Sequence, residues 1–439
     1  MNSETSTSDI PQDNPVFIID GARTPQLKAG GPPGPFRASD LAVSAARSLL
    51  LRMPFDASAL DEVIFGCVSS GPDEANIARV VSLRLGCGDK VPAFSVQRNC
   101  ASGMQALDSA AKDIASGRAD LILAGGTEAM SHHPVILNNA MVAWLAAWNQ
   151  ARNLPARIRT LGKLKVSHFK PVIAILRGLT DPVVGLSMGQ TAEQLAEDFN
   201  ISRESMDQYA MRSHQRLAEA MENGYLDEII PLYDKEGNIY TTDNGVRPDS
   251  SMEKLARLKP VFDRPMGKVT AGNSAQITDG AACLLLASAR AVEEHQLPVL
   301  GRIVDSQWAG LEPARMGLGP VYAMAPVLLR HQLDSSDIDY WEINEAFAAQ
   351  VLACMRAWQD QDFCMQSLGL PRAFSPIPED KLNIDGGGIS LGHPVGASGA
   401  RIVLHLLKVL ERNQAKRGMA SLCIGGGQGG AMLVERIES

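Results

Sequence analysis

Two stretches of this 439-residue chain follow one plan. Residues 100–126 read CASGMQALDSAAKDIASGRADLILAGG: small residues with Ser-Gly, a helical run, a basic residue beside Gly, an apolar strand, then glycines. Residues 396–427, GASGARIVLHLLKVLERNQAKRGMASLCIGGG, keep the same order. An internal echo of this kind predicts a duplicated fold with pseudo-twofold symmetry. It constrains the architecture more than any single motif, because each copy must then build half of one core.

The rest of the pattern fits such a fold. PVFIIDGARTP and ALDEVIFGCV read as strands, and DLAVSAARSLLLRM and NIARVVSLRLG have helical spacing. Strands alternating with helices predict a layered α/β fold with a mostly parallel sheet. The length suggests two or three domains. With 45% hydrophobic and 21% charged residues the chain is globular rather than disordered. A net charge of -8 argues against a general nucleic-acid binder. Seven scattered cysteines, none in a CxxC pair, suit free thiols in a reducing compartment. The start, MNSETSTSDIPQDNP, is neither a secretory signal nor a transit peptide. No apolar run reaches the roughly 18 residues of a membrane span. A cytoplasmic protein is expected.

One segment departs from this acidic character. From Ala129 to Thr180 there is no Asp or Glu, while Arg152, Arg157, Arg159, Lys163, Lys165, Lys170 and Arg177 all fall within it. MVAWLAAWNQARNL inside it predicts an amphipathic helix with two tryptophans. A solvated lobe is one reading. An anionic ligand, a membrane surface or a partner subunit are the others.

Four short stretches carry chemical groups. Cys100 stands between a strand-like and a helix-like segment. Asn344 and Glu345 end the strand-like DYWEI. His393 lies in GGGISLGHPVGASG, and Cys423 ends an apolar strand before three glycines. Each sits where an apolar segment meets glycines or a helix start, the place where α/β sheets bind ligands. Glycines there let backbone N–H groups approach a substrate oxygen. Neither a GxxxxGK[ST] loop nor a GxGxxG after the first strand is present, which disfavours nucleotide binding and a dehydrogenase. A cysteine at a helix N-terminus is expected to have a lowered pKa, and a histidine can serve as its base. Taken singly, each of these residues is as readily structural, since free cysteine is among the most buried residue types.

Together they resemble the thiolase family over nearly the whole chain. NCASGMQALDSA, NEAFAAQ, GHPVGASGAR and CIGGGQGGAM match its four active-site motifs in order, and MGQTAEQLA, KVTAGNSAQITDGAA and MGLGPVYA match further segments. The basic middle segment and DNGVRPDSSMEKLARLKPVF resemble most the thiolase subunits of fatty-acid oxidation complexes. The resemblance implies two similar α/β/α/β/α halves with an inserted loop domain. The N-terminal half would comprise residues 14–129 and 277–298, the loop domain 130–276 and the C-terminal half 299–439.

It also implies cleavage of 3-ketoacyl-CoA by CoA, or the reverse Claisen condensation, through an acyl-cysteine. Cys100 would be the nucleophile, His393 its base and Cys423 the acid–base group at the α-carbon. One oxyanion site would use His393 and a water held by Asn344, the other the backbone N–H groups of Cys100 and Gly425. Arg247, Met188, Met316, Ala275 and Phe347 would contact CoA or the acyl chain. No metal or separate cofactor is implied; coenzyme A is a substrate. A homodimer or dimer of dimers is expected, joined through the N-terminal halves. Candidate further partners are a hydratase/dehydrogenase subunit or a membrane surface, placing the enzyme in the cytoplasm or peripheral to a membrane.

Some positions depart from the family's pattern. Ser187 stands where many short-chain members have His, Ala275 where Ser is common, and Asn344 where oxidation-complex subunits often have His. Chain length and complex membership are therefore open. The competing readings are a short-chain acetoacetyl-CoA thiolase working in synthesis and an inactive thiolase-like scaffold. Related condensing enzymes typically lack a second cysteine, so Cys423 argues against them.

Overall fold

A computed structural model of the chain describes residues 14–437. Its principal strands are β1 (Val16–Arg23), β2 (Glu62–Gly66), β3 (Ala93–Val96), β4 (Leu121–Ala129), β5 (Thr278–Ala287), β6 (Gly301–Gly310), β7 (Tyr340–Ile343), β8 (Arg417–Ile424) and β9 (Gln428–Arg436). The helices used below are α1 (Ala38–Leu50), α2 (Ser102–Ala115), α3 (Asn139–Gln150), α4 (Leu154–Leu161), α5 (Met188–Asp198), α6 (Arg203–Glu222), α7 (Gly319–Arg330), α8 (Ala348–Gln359) and α9 (Val395–Arg412).

The strands lie in the order β7-β8-β9-β6-β1-β5-β4-β2-β3. The order is the same ladder twice. The first half runs β3-β2-β4-β5-β1; the second runs β7-β8-β9-β6, with a single bridge from Trp341 to Leu382 in place of a fifth strand. The halves join where Val16–Ile18 pairs with Gly301–Ile303. The sheet is not mostly parallel as the alternation of strands and helices suggests. Only β2 with β3, β2 with β4 and β7 with β8 are parallel, whereas β4, β5, β1, β6, β9 and β8 pair antiparallel in succession. The reason is that β8 returns directly as β9 and β4 returns as β5 after a long excursion, neither through a crossover helix.

Strand alternation distributes the side chains between layers. On β5, Ala281, Cys283 and Leu285 enter a core shared with α1, while Ala282, Leu284 and Leu286 enter a central core. On β8, Ala420, Leu422 and Ile424 enter the same central core, and Met419 and Cys423 face the core of the second half. Strands buried on both faces read as continuous apolar runs, as LILA and SLCI do.

The central layer is α2 against α9, and here the sequence echo acquires a cause. A Cβ at Gly103 would meet Ala400 N at 2.8 Å, and one at Gly399 would meet Met104 N at 2.6 Å. The paired Ser-Gly motifs thus mark the crossing of two equivalent helices whose backbones touch.

Between β4 and β5, residues 130–277 leave the sheet. Helices α5 and α6 of this excursion pack toward the second half through Leu195, Ala196, Met206 and Ala210. The tryptophan-bearing helix is interrupted. Asn138 caps α3, the helix ends at Gln150, and Asn153 caps α4 with Pro155 in its first turn.

Candidate active site

Cys100 lies immediately before α2, on a turn fixed by its neighbours. Asn99 takes a left-handed φ of 45°, which Asn tolerates because its side chain can bond locally. Its Nδ2 donates to Gly425 O at 2.7 Å. Ser102 Oγ accepts from Arg98 N at 2.9 Å and donates to Asn99 O at 2.7 Å. Arg98 in turn donates to Gln428 Oε1 at 3.0 Å and lies over the Trp308 ring. The cysteine turn and the C-terminal glycine loop are therefore one unit.

Helix α2 has no side-chain cap at Ala101, and its first N–H, that of Ser102, donates to Asn99 O at 3.0 Å. The expected lowering of the Cys100 pKa does not follow. Burial pushes the thiol up, and the N–H groups of Gly425 and of Cys100 itself only partly offset it. A thiol held protonated in this way needs a base.

The base expected from the sequence is His393. Its N–H donates to Gln276 O at 3.0 Å, and the preceding Gly392 has φ 110°, where a Cβ would strike Thr278. Ser398 Oγ donates to Pro394 O at 3.1 Å and lies 2.6 Å from His393 Nδ1. With the serine proton on Pro394 O, Nδ1–H donates to the serine oxygen and Nε2 is the acceptor nitrogen, the assignment that also suits the Asn344 Nδ2 facing it. Burial, helped by Arg401, lowers the His393 pKa to about 4. The imidazole is neutral at pH 7 and can accept a proton at Nε2.

Asn344 follows β7 and is held by its N–H to Ser421 O at 2.9 Å. Its Nδ2 faces His393 Nε2 at 3.4 Å. Its Oδ1 is buried and accepts no hydrogen bond among the described residues. Cys423 is fully buried on β8. Burial first, then the nearness of Cys100 and of Cys354, pushes its thiol well above the ordinary value. The structure thus pairs Asn344 with His393, Cys423 with Cys100, and the Cys100 turn with the Gly425 loop.

The other expected residues spread wider. Arg247 lines a groove of about 300 Å³ with His214, Ser250, Lys254, Gln276 and Ile389. Its N–H donates to His214 Nδ1 at 3.1 Å, and burial together with Arg247 lowers the His214 pKa to about 4. Gln276 joins this groove to His393 through its carbonyl. Met188 is half-buried, its sulfur 3.1 Å from where a Gly425 Cβ would stand. Ala275 is half-buried and donates to Ala346 O at 2.9 Å. Phe347 packs edge-on against Phe262. Met316 is 3% exposed within the apolar core of the second half. Ser187 caps α5, accepting from Gln190 N.

Two positioning groups, Ser398 and Glu128, escaped the sequence reading, and a third, Glu345, was named there only beside Asn344 with no role. Ser398 fixes the histidine tautomer, and its presence in both echoed motifs was the available signal. Glu345 accepts from Tyr209 Oη, Ser213 Oγ, Asn383 Nδ2 and Ile389 N, which holds the glycine loop before His393. Glu128 accepts from Val68 N, Ser69 N and, at the start of α9, Gly396 N; burial still pushes its pKa up to about 7.

The groups this region offers for chemistry are two coupled thiols, a neutral buried histidine and the asparagine that faces it. Residues 16–290 match the thiolase N-terminal domain and residues 297–436 the thiolase C-terminal domain. The chain belongs to the thiolase family. This thiolase is 41% identical over 428 residues to the beta-ketoadipyl-CoA thiolase of Pseudomonas aeruginosa, covering 96% of this chain and 99% of the relative. It is 36% identical over 422 residues to the mitochondrial trifunctional enzyme subunit beta of Bos taurus, covering 96% and 88%. Among solved structures, human mitochondrial 3-ketoacyl-CoA thiolase in complex with CoA matches with a TM-score of 0.83 at 35% identity, covering 97% of this thiolase and 99% of that chain. The thiolase is an acyltransferase.

Proposed function

We propose that this enzyme cleaves a 3-ketoacyl-CoA with free CoA, and that the two cysteines divide the work. The Cys100 proton passes to His393 Nε2, and the thiolate attacks the 3-keto carbon. The C2–C3 bond breaks, leaving an acyl group on Cys100 and an acetyl-CoA enolate that takes its proton from Cys423. Free CoA gives its thiol proton to the Cys423 thiolate and attacks the acyl-cysteine; the shortened acyl-CoA leaves, and the expelled Cys100 thiolate recovers its proton from His393. Every step is an acid–base or addition step, and coenzyme A enters as a substrate, with no separate cofactor required.

The observation that carries this reading is the division of protonation states. Neutral His393 can take a proton, and a buried Cys423 retains one to give. The N–H groups of Gly425 and Cys100, which already meet the Cys100 thiol, are the proposed donors to an oxyanion at the acyl carbon. The buried Asn344 Oδ1, with the Nε2–H of the protonated histidine, suits a water and the enolate oxygen. Arg247 and its groove are the proposed seat of the CoA nucleotide, with Met188, Ala275 and Phe347 along the pantetheine and acyl path. The burial of Met316 favours support of that path from beneath. The excursion 130–276 is proposed as the loop domain between two thiolase halves.

Mass spectrometry after incubation with acetyl-CoA is expected to find an acetyl group on the Cys100 peptide. Cys423→Ala is expected to keep that label while losing thiolysis and exchange of the acetyl-CoA methyl protons. Label elsewhere, or equal loss of labelling in Cys423→Ala, contradicts the assignment. Relatives named for beta-ketoadipyl-CoA and for 3-ketoacyl-CoA both match this chain, so kcat/KM across acetoacetyl-CoA, longer 3-ketoacyl-CoA and 3-oxoadipyl-CoA ranks the substrates. Unpaired β3 at the end of the sheet supports a dimer through the first halves; a stable active monomer in sedimentation velocity would contradict it. Free thiols at all seven cysteines support a reducing compartment such as the cytoplasm, which fractionation checks.

A further inference from the structure

The lobe around α3 and α4 takes no part in the chemistry above, and its surface is unlike the rest of the molecule. Helix α4 buries none of its residues and α3 buries only Met141. Helices this short are marginal in water unless an apolar face is covered. Here the apolar side chains point outward: Leu154, Ile158, Leu161, Val166, Phe169 and Leu176 are each more than half exposed. About half of all exposed large apolar side chains among the described residues belong to this one segment.

The charge is equally one-sided. No Asp or Glu occurs from Ala129 to Thr180, and the segment's Arg and Lys residues are all exposed. Trp144 and Trp148 stack at 5.6 Å on α3, and the Arg157 guanidinium lies over Trp148 at 5.8 Å. This surface is apolar and cationic at once, on a protein of net charge -8.

We propose that the lobe is a docking surface for an anionic lipid bilayer, a property that does not rest on the catalytic reading. Charge complementarity selects lipid over protein. Protein interfaces deplete Lys from their centres, whereas here lysines and arginines alternate with Leu, Ile and Phe along the same short helices and loops. At a bilayer surface the long cationic side chains reach headgroup phosphates while the aliphatic and aromatic groups enter the acyl boundary. Paired tryptophans suit that boundary as well. No described helix is long and apolar enough to span a membrane, so the association is peripheral.

The full chain is tested by co-sedimentation with phosphatidylcholine vesicles and with vesicles containing about one-third phosphatidylglycerol, at low and high salt. Binding at least tenfold stronger to the anionic vesicles, and lost at high salt, is expected. The variant R157Q/R159Q/K163Q/K165Q is expected to lose about tenfold in partitioning with thiolysis of acetoacetyl-CoA unchanged. A second variant, I158S/L161S/V166S/F169S, keeps the charge and is expected to lose binding as well. Equal binding to both vesicle types, or none to either, overturns the proposal. So does the first variant abolishing self-association in sedimentation velocity, which assigns the lobe to a second copy. A raised KM for CoA in that variant overturns it in favour of a substrate site.

Discussion

At the scale of single residues, the protonation of one imidazole organises the site. Ser398 spends its proton on Pro394 O, so it can only accept from His393 Nδ1, and the basic nitrogen is turned toward Asn344. Ser398→Ala removes that choice. It is expected to lower kcat about tenfold or more while leaving the KM for CoA unchanged, because general base catalysis contributes on the order of 10²–10⁴-fold and depends on the tautomer. Steady-state kinetics decides this; a rise in KM alone would place Ser398 in substrate binding. The same depressed pKa sets the pH profile. With its pKa near 4, His393 remains a free base down to about pH 5, so kcat/KM should not fall near pH 6.5 through this residue. All four catalytic candidates stood out in the sequence by residue type at a strand end or helix start, but taken singly none was distinguishable there from a structural residue. The direction of the Cys100 pKa could not be read there, since burial outweighs the helix terminus and burial is a property of the assembled site.

At the scale of elements, the crossing of α2 and α9 is the structural counterpart of the chemistry. Cys100 precedes one helix and His393 the other, so their relative position is set by how closely the two helix starts approach. Gly399→Ala would place a methyl group 2.6 Å from Met104 N, against backbone that cannot swing aside. Overpacking of this sort typically costs about 1–3 kcal/mol. Urea unfolding is expected to show that loss, together with slower acylation of Cys100 at full substrate saturation. Unchanged stability with unchanged acylation would show that the helices can part without consequence. The echo made the pair of helices legible in the sequence. That they lie side by side against the two halves of one sheet was not, because contact between residues about three hundred positions apart leaves no local periodicity.

At the scale of the whole molecule, a buried ionic cluster fastens the excursion to both halves. Arg23 on β1 bonds Glu228 at 3.0 Å and Asp243 at 2.8 Å, both from the excursion. His405 on α9 bonds Glu228 at 3.1 Å and Asp385 at 3.2 Å through its two ring nitrogens, and Asp385 bonds Arg412. Burial opposes charging of His405, yet Glu228 and Asp385 push its pKa up to about 10. Despite burial, His405 and Arg23 hold Glu228 well below the usual carboxylate range. The sign follows from linkage. The folded pKa of His405 exceeds the ordinary 6.5, so its stabilisation is complete below pH 6.5 and is lost as pH rises toward 10. The slope from this group is at most about 1.4 kcal/mol per pH unit. Urea midpoints are expected to fall between pH 7 and pH 10 in the natural chain, and to fall less in His405→Gln. Parallel decline in both would remove His405 from the account.

The sequence by itself determined the duplication, the layered α/β class, the glycine-flanked cysteines and histidine, and the basic segment free of acid. These are properties of residue type and spacing, which one pass along the chain displays. Only the tertiary structure decided that the sheet is largely antiparallel and that a single bridge replaces the second half's fifth strand. It likewise decided that Ser398, Glu345 and Glu128 hold the segment around His393 and that Arg23, Glu228, Asp385 and His405 form one cluster. Each of those depends on which distant residues become neighbours once both apolar faces of the strands are buried. A lone Ser, Glu or His in a sequence carries no mark of the partner it will meet.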